Sequence, residues 1–295
     1  MRVIGSDRVI YAFSPKNEPV DWVDLNEEFW MELRDCYSGQ IKTEKDLRPN
    51  IDTSIMDAAT GPVGIRGVRH GDVIAVTIHE IELAPQGVMV TAPGLGPLGE
   101  FIREPNTKII PVRQGLAYFS DQIQLPLTPM VGVLGVAPAE GEIHCVVPGK
   151  HGGNLDTKDI TAGNKVYFPV FVDGANLAAG DLHACMGDGE LSGTGIEIAG
   201  RIRLEVCKVP GLYLHGPVVE TETAFMVLAS AETFSQAAQE AISFGVELLQ
   251  RSLSLDFPDA YRLLSATSDL RVSQIVNPLL TVRVAIPKKI LPALI

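Results

Sequence analysis

Residues 196–206, IEIAGRIRLEV, decide the fold class expected for this chain. Two sets of side chains alternate along it, the apolar Ile196, Ile198, Ile202, Leu204 and Val206 and the polar Glu197, Arg201, Arg203 and Glu205. Side chains two residues apart share one face of a strand, so the pattern predicts one buried and one solvent-facing side. Such a strand is typical of an antiparallel sheet, with Glu197 on the solvent-facing side.

Similar strand patterns recur along the chain, with glycine and proline between them. They are rich in β-branched and aromatic residues and lie at 72–83, 142–147, 165–172 and 279–286. The 28 glycines and 20 prolines among 295 residues provide the turns that many short strands need. The sequence therefore predicts a mainly β protein.

One region departs from the strand pattern. From 232 to 252, helix-forming residues place apolar side chains at helical spacing, which predicts an amphipathic helix. A second helix is predicted at 258–267, because Pro258 is tolerated in a first helical turn. Together they form a helical hairpin in an α+β portion at 216–295, packed on the same core as a β body at 1–215.

Charge and composition exclude several classes of function. The formal net charge is −12 and no stripe of Lys and Arg interrupts it, so we expect neither nucleic acid nor a membrane as partner. The first residues, MRVIGSDRVIYAFSP, lack the apolar region and cleavage site of a signal peptide, which predicts a cytoplasmic protein. The four cysteines form no C-x-x-C pair and are expected to be free thiols.

Metal-binding side-chain types are concentrated in two strings, HGGNLD at 151–156 and DGANLAAGDLHACMGDGE at 173–190. If Asp181–His183 is extended, Asp181 and His183 share a face and offer a carboxylate and an imidazole to a divalent cation. Asp181, His183 and either His151 or Asp156 could therefore bind a catalytic zinc that keeps an open position. Glycines such as Gly152 and Gly153 allow the backbone to approach a ligand closely.

These residue types suit hydrolysis by a metal-activated water. Water bound to zinc titrates near neutrality, so a hydroxide nucleophile is available without a serine or cysteine. Amide hydrolysis also needs a proton for the departing nitrogen, which a carboxylic acid in a partly dry pocket can deliver. Glu190 is the first candidate for this general acid/base role and Asp188 the second. Alternatively, Asp181 and Asp188 cap loops through Asx-turns.

Other reactive residues have simpler interpretations. His70 lies in a turn sequence, His79 and His144 lie within strand patterns, and His215 precedes Gly-Pro, so structural roles are favoured for all four. Cys185 lies within the second metal-rich string and could be a nucleophile. A small buried filler is the favoured interpretation for this thiol.

Taken together, HGGNLD and PVFVDGANLAAGDLHACMGDGE closely resemble the acetamidase/formamidase family. The segments ATGPVGIRGVRHGDVIAVTIHEIE, PMVGVLGVAPAEGE and DAYRLLSATSDLRVSQIVN are similar to it as well, so the resemblance covers nearly the whole chain. It implies a jelly-roll-like β-sandwich body with an added α+β portion and a homo-oligomer, as a dimer or a larger assembly. The implied activity converts formamide or acetamide to ammonia and the carboxylate.

The resemblance also implies particular site residues. Carried over by position, they are His151, Asn154, Asp156, Asp181, His183 and Glu190. Asn154 is then expected to bind substrate together with Gly152 and Gly153. Asp35, in LRDCYSGQ, matches a place where the family has an acidic residue near the site and is a further predicted ligand. Family members hold zinc and in some cases calcium, so zinc is the expected metal, with calcium as a possible second ion.

Two other functions stay open at this point. The same site could act on a larger amide, a carbamoyl compound or another small C–N substrate, because a fold and its metal ligands rarely fix the acyl group. A protein of another class, for binding or assembly, would use Asp181 and His183 to hold a structural ion without turnover. A closed shell of four protein ligands would favour that second function.

Overall fold

The computed structural model describes residues 1–294, which contain 19 β-strands and two α-helices. The strands before residue 120 are β1 (Arg2–Ile4), β2 (Val9–Ile10), β3 (Ala12–Phe13), β4 (Asp21–Val23), β5 (Glu28–Leu33), β6 (Ala59–Ile65), β7 (Val73–Thr91), β8 (Asn106–Arg113) and β9 (Leu116–Tyr118). The central strands are β10 (Gln124–Pro126), β11 (Met130–Gly135), β12 (Ile143–His144), β13 (Lys165–Pro169), β14 (Leu177–His183) and β15 (Glu197–Lys208). The remaining elements are β16 (Val218–Glu220), β17 (Ala224–Ala231), α1 (Phe234–Leu253), α2 (Phe257–Thr267), β18 (Asp269–Gln274) and β19 (Leu280–Pro287). Short 3-10 helices lie at Arg48–Asn50, Thr53–Ile55 and Gly99–Phe101.

This architecture confirms the predicted fold class, a mainly β protein with a helical hairpin. The hairpin begins as its sequence requires, because Thr233 accepts a hydrogen bond from Gln236 N and Asp256 accepts one from Asp259 N. Within residues 1–294, no helix combines the length and the apolar character that crossing a membrane requires. Ile295, the last residue of the predicted α+β portion, lies outside the described residues.

The strand β15 that carries the alternating pattern pairs antiparallel with β5 on one side and β7 on the other. Its partner β7 is longer than predicted and continues past Pro85. Three residues of β7, 84–86, lie opposite one residue of β15 at this point. This bulge accommodates Pro85, which has no N–H to donate to the ladder. The sequence pattern predicts that the strand ends before Pro85, but the bulge allows β7 to continue through this proline.

The predicted exposure of Glu197 is wrong. Its side chain is buried, because β15 pairs with β14 at this end and His183 lies directly opposite Glu197. Directly paired residues of an antiparallel ladder point to the same face. The alternating pattern identified two faces of β15 correctly but could not reveal that its polar face is covered at one end.

The two metal-rich strings lie close to the same strand. On one side, β11 pairs antiparallel with β14. On the other side, residues 151–156 run along β11, with Leu134 N donating to Gly153 O at 3.1 Å and Leu155 N donating to Gly132 O at 3.0 Å. The fold therefore places the end of HGGNLD beside the end of β14.

The C-terminal elements share a hydrophobic core with the preceding strands. Helix α1 buries Ala241, Phe244 and Leu248 in a cluster that also contains Val73 and Tyr167 of β7 and β13. A larger core lies within the body and includes Phe29, Ile78 and Leu204. The α+β portion thus packs directly on β7 and β13 of the body.

Candidate metal centre

Five carboxylates and one imidazole are buried together where β14 meets β15 and residues 151–156. The side chains are those of Asp57, Asp156, Asp181, His183, Glu190 and Glu197, none more than 6% exposed. Ionised carboxylates are rarely buried without a cation or hydrogen-bond donors. A single imidazole cannot balance five acidic groups, so this composition points to a binding site for a positive charge.

The imidazole of His183 lies at the middle of the cluster. Its Nε2 lies 3.1 Å from Glu197 Oε2 and 3.3 Å from Asp181 Oδ1. Asp156 Oδ1 is 3.9 Å from the same nitrogen. The cluster contains two groups of ligand atoms, and within each group the atoms lie within 4.8 Å of one another. One group comes from Asp156, His183 and Glu190 and the other from Cys36, Asp181 and Glu197. The two groups are neighbours, because Asp181 and Glu197 both approach His183.

Two glycines give these side chains the room they occupy. A Cβ atom on Gly132 would lie 2.4 Å from Asp181 Oδ2 and 2.6 Å from Asp156 Oδ1. A Cβ atom on Gly195 would lie 2.5 Å from His183 Nδ1. Such distances are far below van der Waals contact, so any larger residue at either position would displace the carboxylates or the imidazole.

Four of the five acids have a left-handed backbone. The φ angles are 53° for Asp57, 38° for Asp156, 55° for Asp181 and 49° for Glu190. A residue with a side chain is held in this region at a cost of about 1–3 kcal/mol, and such strain clusters at functional sites. Asp181 is therefore not extended as the sequence interpretation assumed, although its side chain still meets that of His183.

Neighbouring groups hold two of the carboxylates in place. Asn277 Nδ2 donates to Asp156 Oδ2 at 2.7 Å and to the main-chain oxygen of Asn154 at 3.1 Å. Gly195 N donates to Glu197 Oε1 at 2.9 Å. Each bond uses one oxygen of the carboxylate and leaves the other facing the cluster.

Burial and mutual repulsion change the acidity of the cluster. Burial raises the pKa of Asp156 to about 6 and that of Asp57 to about 8, and the charge of Asp181 adds to both. Burial, with the nearby Asp156, raises the pKa of Glu190 well above its usual range. For His183 burial lowers the pKa, but Glu197 and Asp181 outweigh it and hold the imidazole pKa well above its usual value.

Within residues 1–294, the atoms that face the middle of the cluster have no hydrogen-bond partner. They are Asp156 Oδ1, Asp181 Oδ1, His183 Nε2, Glu190 Oε2 and Glu197 Oε2. Leaving a buried polar atom unpaired costs about 1–3 kcal/mol. Around a tetrahedral zinc, with bonds of about 2.0–2.2 Å, neighbouring ligand atoms lie about 3.4 Å apart. The three distances to His183 Nε2 bracket this value, so these donor atoms fit a divalent cation.

Several predicted site residues lie at the edge of the cluster or outside it. His151 O accepts from Val136 N at 2.9 Å. Val136 lies four residues after Gly132, the glycine that is next to Asp156 and Asp181. The buried imidazole of His151 belongs to neither group of ligand atoms and packs edge-on against Phe13, and burial lowers its pKa to about 4. Burial, with the charge of Asp181, raises the pKa of Asp35, whose Oδ1 accepts from Gly39 N at 3.0 Å and which belongs to neither group of ligand atoms.

The second candidate for proton transfer, Asp188, lies in an ion-pair network. Its carboxylate accepts a hydrogen bond from Arg283 Nη2 at 2.7 Å and lies 3.1 Å from Lys158 Nζ. Asp188 belongs to neither group of ligand atoms among the described residues. Glu190, two residues later, belongs to the group of Asp156 and His183.

The predicted substrate-binding residues line β11. A Cβ atom on Gly152 would lie 2.2 Å from Leu134 O, so the glycine is required by the approach of the two backbones. Gly153 donates to and accepts from Leu134. Asn154 is buried with Oδ1 unpartnered, which keeps an acceptor available beside Asp156.

The sequence interpretation missed four residues of this region. The alternating pattern places Glu197 on a solvent-facing side, and no motif in the sequence points to Asp57, Cys36 or Asn277. The glycine-rich run before Glu197 was a usable signal, because Gly195 makes room for His183. No local pattern marks Asn277, which reaches Asp156 from 121 positions away in the sequence.

Comparison with known proteins identifies relatives along most of the chain. The family model described as "Acetamidase/Formamidase family" matches residues 7–144 and 139–293. An acetamidase from Bacillus halodurans, known as a crystal structure, is 42% identical with a TM-score of 0.97, and the match covers 99% of both chains. A formamidase from Methylophilus methylotrophus and an acetamidase from Mycolicibacterium smegmatis are each 27% identical, over 62% and 64% of this chain. The matches span only 60% and 63% of those two relatives' own lengths.

Proposed function

This chain belongs to the acetamidase/formamidase family, and we propose that it hydrolyses small amides to ammonia and the carboxylate at the cluster around His183. The observation that carries the proposal is a set of five buried ligand atoms without hydrogen-bond partners among the described residues, which lie in two neighbouring groups around His183. Relatives named formamidase and acetamidase support the choice of a linear amide as substrate.

We assign the binding of a divalent metal, with zinc as the first choice, to His183, Asp181 and Glu197. Three protein ligands leave the open position that a catalytic zinc needs, and Asp156, whose Oδ1 lies farther from His183 Nε2 at 3.9 Å, is left out of the ligand set. Cys36 lies beside Asp181 and Glu197 and could serve a second ion, for which calcium is less suited than zinc because a thiolate is a soft ligand. When bound, a zinc ion would supply Lewis acidity and lower the pKa of a water molecule. His151 and Asp35 are left out of this ligand set, because His151 lies beside Val136 and Asp35 already accepts from Gly39.

Glu190 is the residue to which we assign proton transfer. Its Oε2 is buried without a partner among the described residues, and burial, with the nearby Asp156, raises its pKa well above the usual range, which favours the protonated form that a general acid needs. In the reaction, the oxygen of water adds to the acyl carbon and the C–N bond breaks. The departing nitrogen takes a proton from Glu190 and leaves as ammonia, while the proton lost by water restores the acid. We propose an ion-pairing role, not proton transfer, for Asp188.

The direct test combines metal analysis with an assay of ammonia release. Purified protein is expected to contain a divalent metal and to release ammonia from formamide, acetamide or propionamide. A chelator should abolish that release and zinc should restore it. Including urea and other carbamoyl compounds tests the broader class of C–N substrates. Protein that retains its metal but releases ammonia from none of these compounds would favour a structural ion and overturn the proposal.

The resemblance also implies a homo-oligomer, which we retain as part of the proposal. Sedimentation of the purified protein measures it directly. A chain that sediments as a monomer at micromolar concentration would remove this part without affecting the assignment of the site.

A further inference from the structure

A cavity of about 530 Å³ opens next to the cluster around His183. Glu190 belongs both to its wall and to the group of ligand atoms. Two other wall residues touch the central imidazole, since Gly195 packs against its ring and Met186 Sδ lies 3.3 Å from His183 Nδ1. Three separate contacts therefore join this cavity to the proposed reaction centre.

The wall of this cavity is predominantly apolar. Its large apolar side chains are those of Met89, Phe119, Leu125, Met186, Leu191 and Ile196. Only two charged residues, Asp188 and Glu190, contribute to the wall. Arg283 and Lys158 neutralise Asp188, and Glu190 faces the cluster. The wall also contains the hydroxyl groups of Thr128, Ser192 and Thr194, of which those of Ser192 and Thr194 already donate to the main-chain oxygens of Thr194 and Gly195.

We propose that the site prefers amides whose acyl group is an apolar chain of several carbons over formamide and acetamide. This inference rests on the proposed amide hydrolysis. Pockets that enclose whole small molecules have volumes of about 300–1,000 Å³, and the present cavity lies in that range. Formamide has no acyl carbon chain and acetamide has one methyl group, so both would leave the apolar wall in contact with water.

The chain that fills the cavity belongs to the acyl side of the substrate. The proposed products are ammonia and a carboxylate, so the nitrogen carries no substituent. Moving one methylene group from water into an apolar pocket favours binding by a factor of about four. The preference should therefore increase stepwise with the length of the chain until the cavity is full.

The test measures kcat/KM for straight-chain primary amides from formamide to hexanamide. We expect a rise of about fourfold per methylene from acetamide, or roughly 60-fold by pentanamide. If formamide and acetamide are hydrolysed but longer amides react no faster, this inference fails while the proposed function stands. If no amide in the series is hydrolysed, both fail.

A pair of variants connects the preference to the cavity. Phe119→Ala should lower the ratio of kcat/KM for pentanamide over acetamide at least several-fold, because it removes a large part of the apolar wall. The matched control is Phe257→Ala on α2, whose side chain is 58% exposed and outside the cavity wall. Each ratio is taken within one protein, so a loss of folded enzyme cancels. An unchanged ratio in Phe119→Ala, or an equal change in the control, overturns the inference.

Discussion

Without a cation, burial of the acidic side chains around His183 would cost free energy. Asp181 and Glu197 place oxygens within 3.3 Å of its Nε2, and neither of those oxygens has a hydrogen-bond partner in the part of the chain that the structure describes. Protonation of the imidazole would supply one positive charge to a cluster with five acidic side chains. A divalent ion would supply more charge and would satisfy several unpaired atoms at once.

The first prediction concerns the proposed ligands. His183→Ala and Asp181→Ala should each lower the metal content and reduce ammonia release by a factor of at least about 100, because each removes a ligand atom. Metal is measured by elemental analysis and activity in the same preparation. The control is His144→Ala, an exposed histidine on β12, which should retain both. Full metal and full activity in the two ligand variants would refute the assignment.

The second prediction separates proton transfer from metal binding. Glu190→Gln preserves the shape of the side chain but cannot donate a carboxylic proton, so turnover should fall about 10²–10⁴-fold. Because Glu190 is not one of the three proposed ligands, the metal content should stay near that of the unaltered protein. A parallel loss of metal and activity would instead make Glu190 a ligand.

At the scale of residues, the site is predictable where metal-binding side chains and glycines occur in the same short segment. Asp156, Asp181, His183 and Glu190 were proposed from two short strings, and the fold brings them together. His151 belongs to the same string, but its main-chain oxygen bonds to Val136 N and its imidazole is in neither group of ligand atoms. Glu197 and Asn277 depend on pairing and on contacts between distant segments, which no local pattern encodes.

At the scale of elements, β18 and β19 hold the loop that carries Glu190. Gly189 N donates to Ser273 O at 2.8 Å, and Ile275 N donates to Gly189 O at 3.2 Å. From β19, the fully buried Arg283 donates to Asp188 at 2.7 Å and lies 2.9 Å from Asp159. Hydrogen bonds to the C-terminal portion thus hold the loop at Gly189 and at Asp188.

The third prediction tests the contribution of Arg283 to holding this loop. Arg283→Ala removes the buried cation shared by Asp188 and Asp159 and should lower the free energy of unfolding by about 2–3 kcal/mol, less than for a fully buried pair because both carboxylates are partly exposed and Lys158 still contacts Asp188. Denaturant titration of the purified protein measures the change. The control is Arg271→Ala on β18, whose pair with Asp269 is exposed and should contribute below about 1 kcal/mol. Similar losses in both variants would mean that burial of Arg283 does not matter.

Helices and strands are predictable where the local sequence determines their ends. The predicted helices at 232–252 and 258–267 correspond to Phe234–Leu253 and Phe257–Thr267, because periodicity and end signals agree there. Strand ends were harder, since pairing decides them. The predicted strand 142–147 is reduced to Ile143–His144, whose partner is the two-residue strand β3.

At the scale of the whole molecule, the proposed metal centre joins the β body to the C-terminal portion. Asn277, which follows β18, donates to Asp156 in the body. Arg283 of β19 binds Asp188 close to Glu190. The shared core of α1, β7 and β13 makes the same connection with apolar contacts. Changes at the centre should therefore affect the stability of the entire chain.

The last prediction concerns removal of the metal. A ligand that binds only the folded state stabilises it by about 2.7 kcal/mol when its free concentration is 100 times the dissociation constant. Protein stripped by a chelator should lose about that much unfolding free energy in denaturant titration, and added zinc should restore it. The same treatment should leave Asp181→Ala nearly unchanged, because that variant already lacks a ligand. If stripped protein, proved free of metal by elemental analysis, unfolds like the untreated protein, the cluster around His183 stabilises itself without an ion and the metal assignment fails.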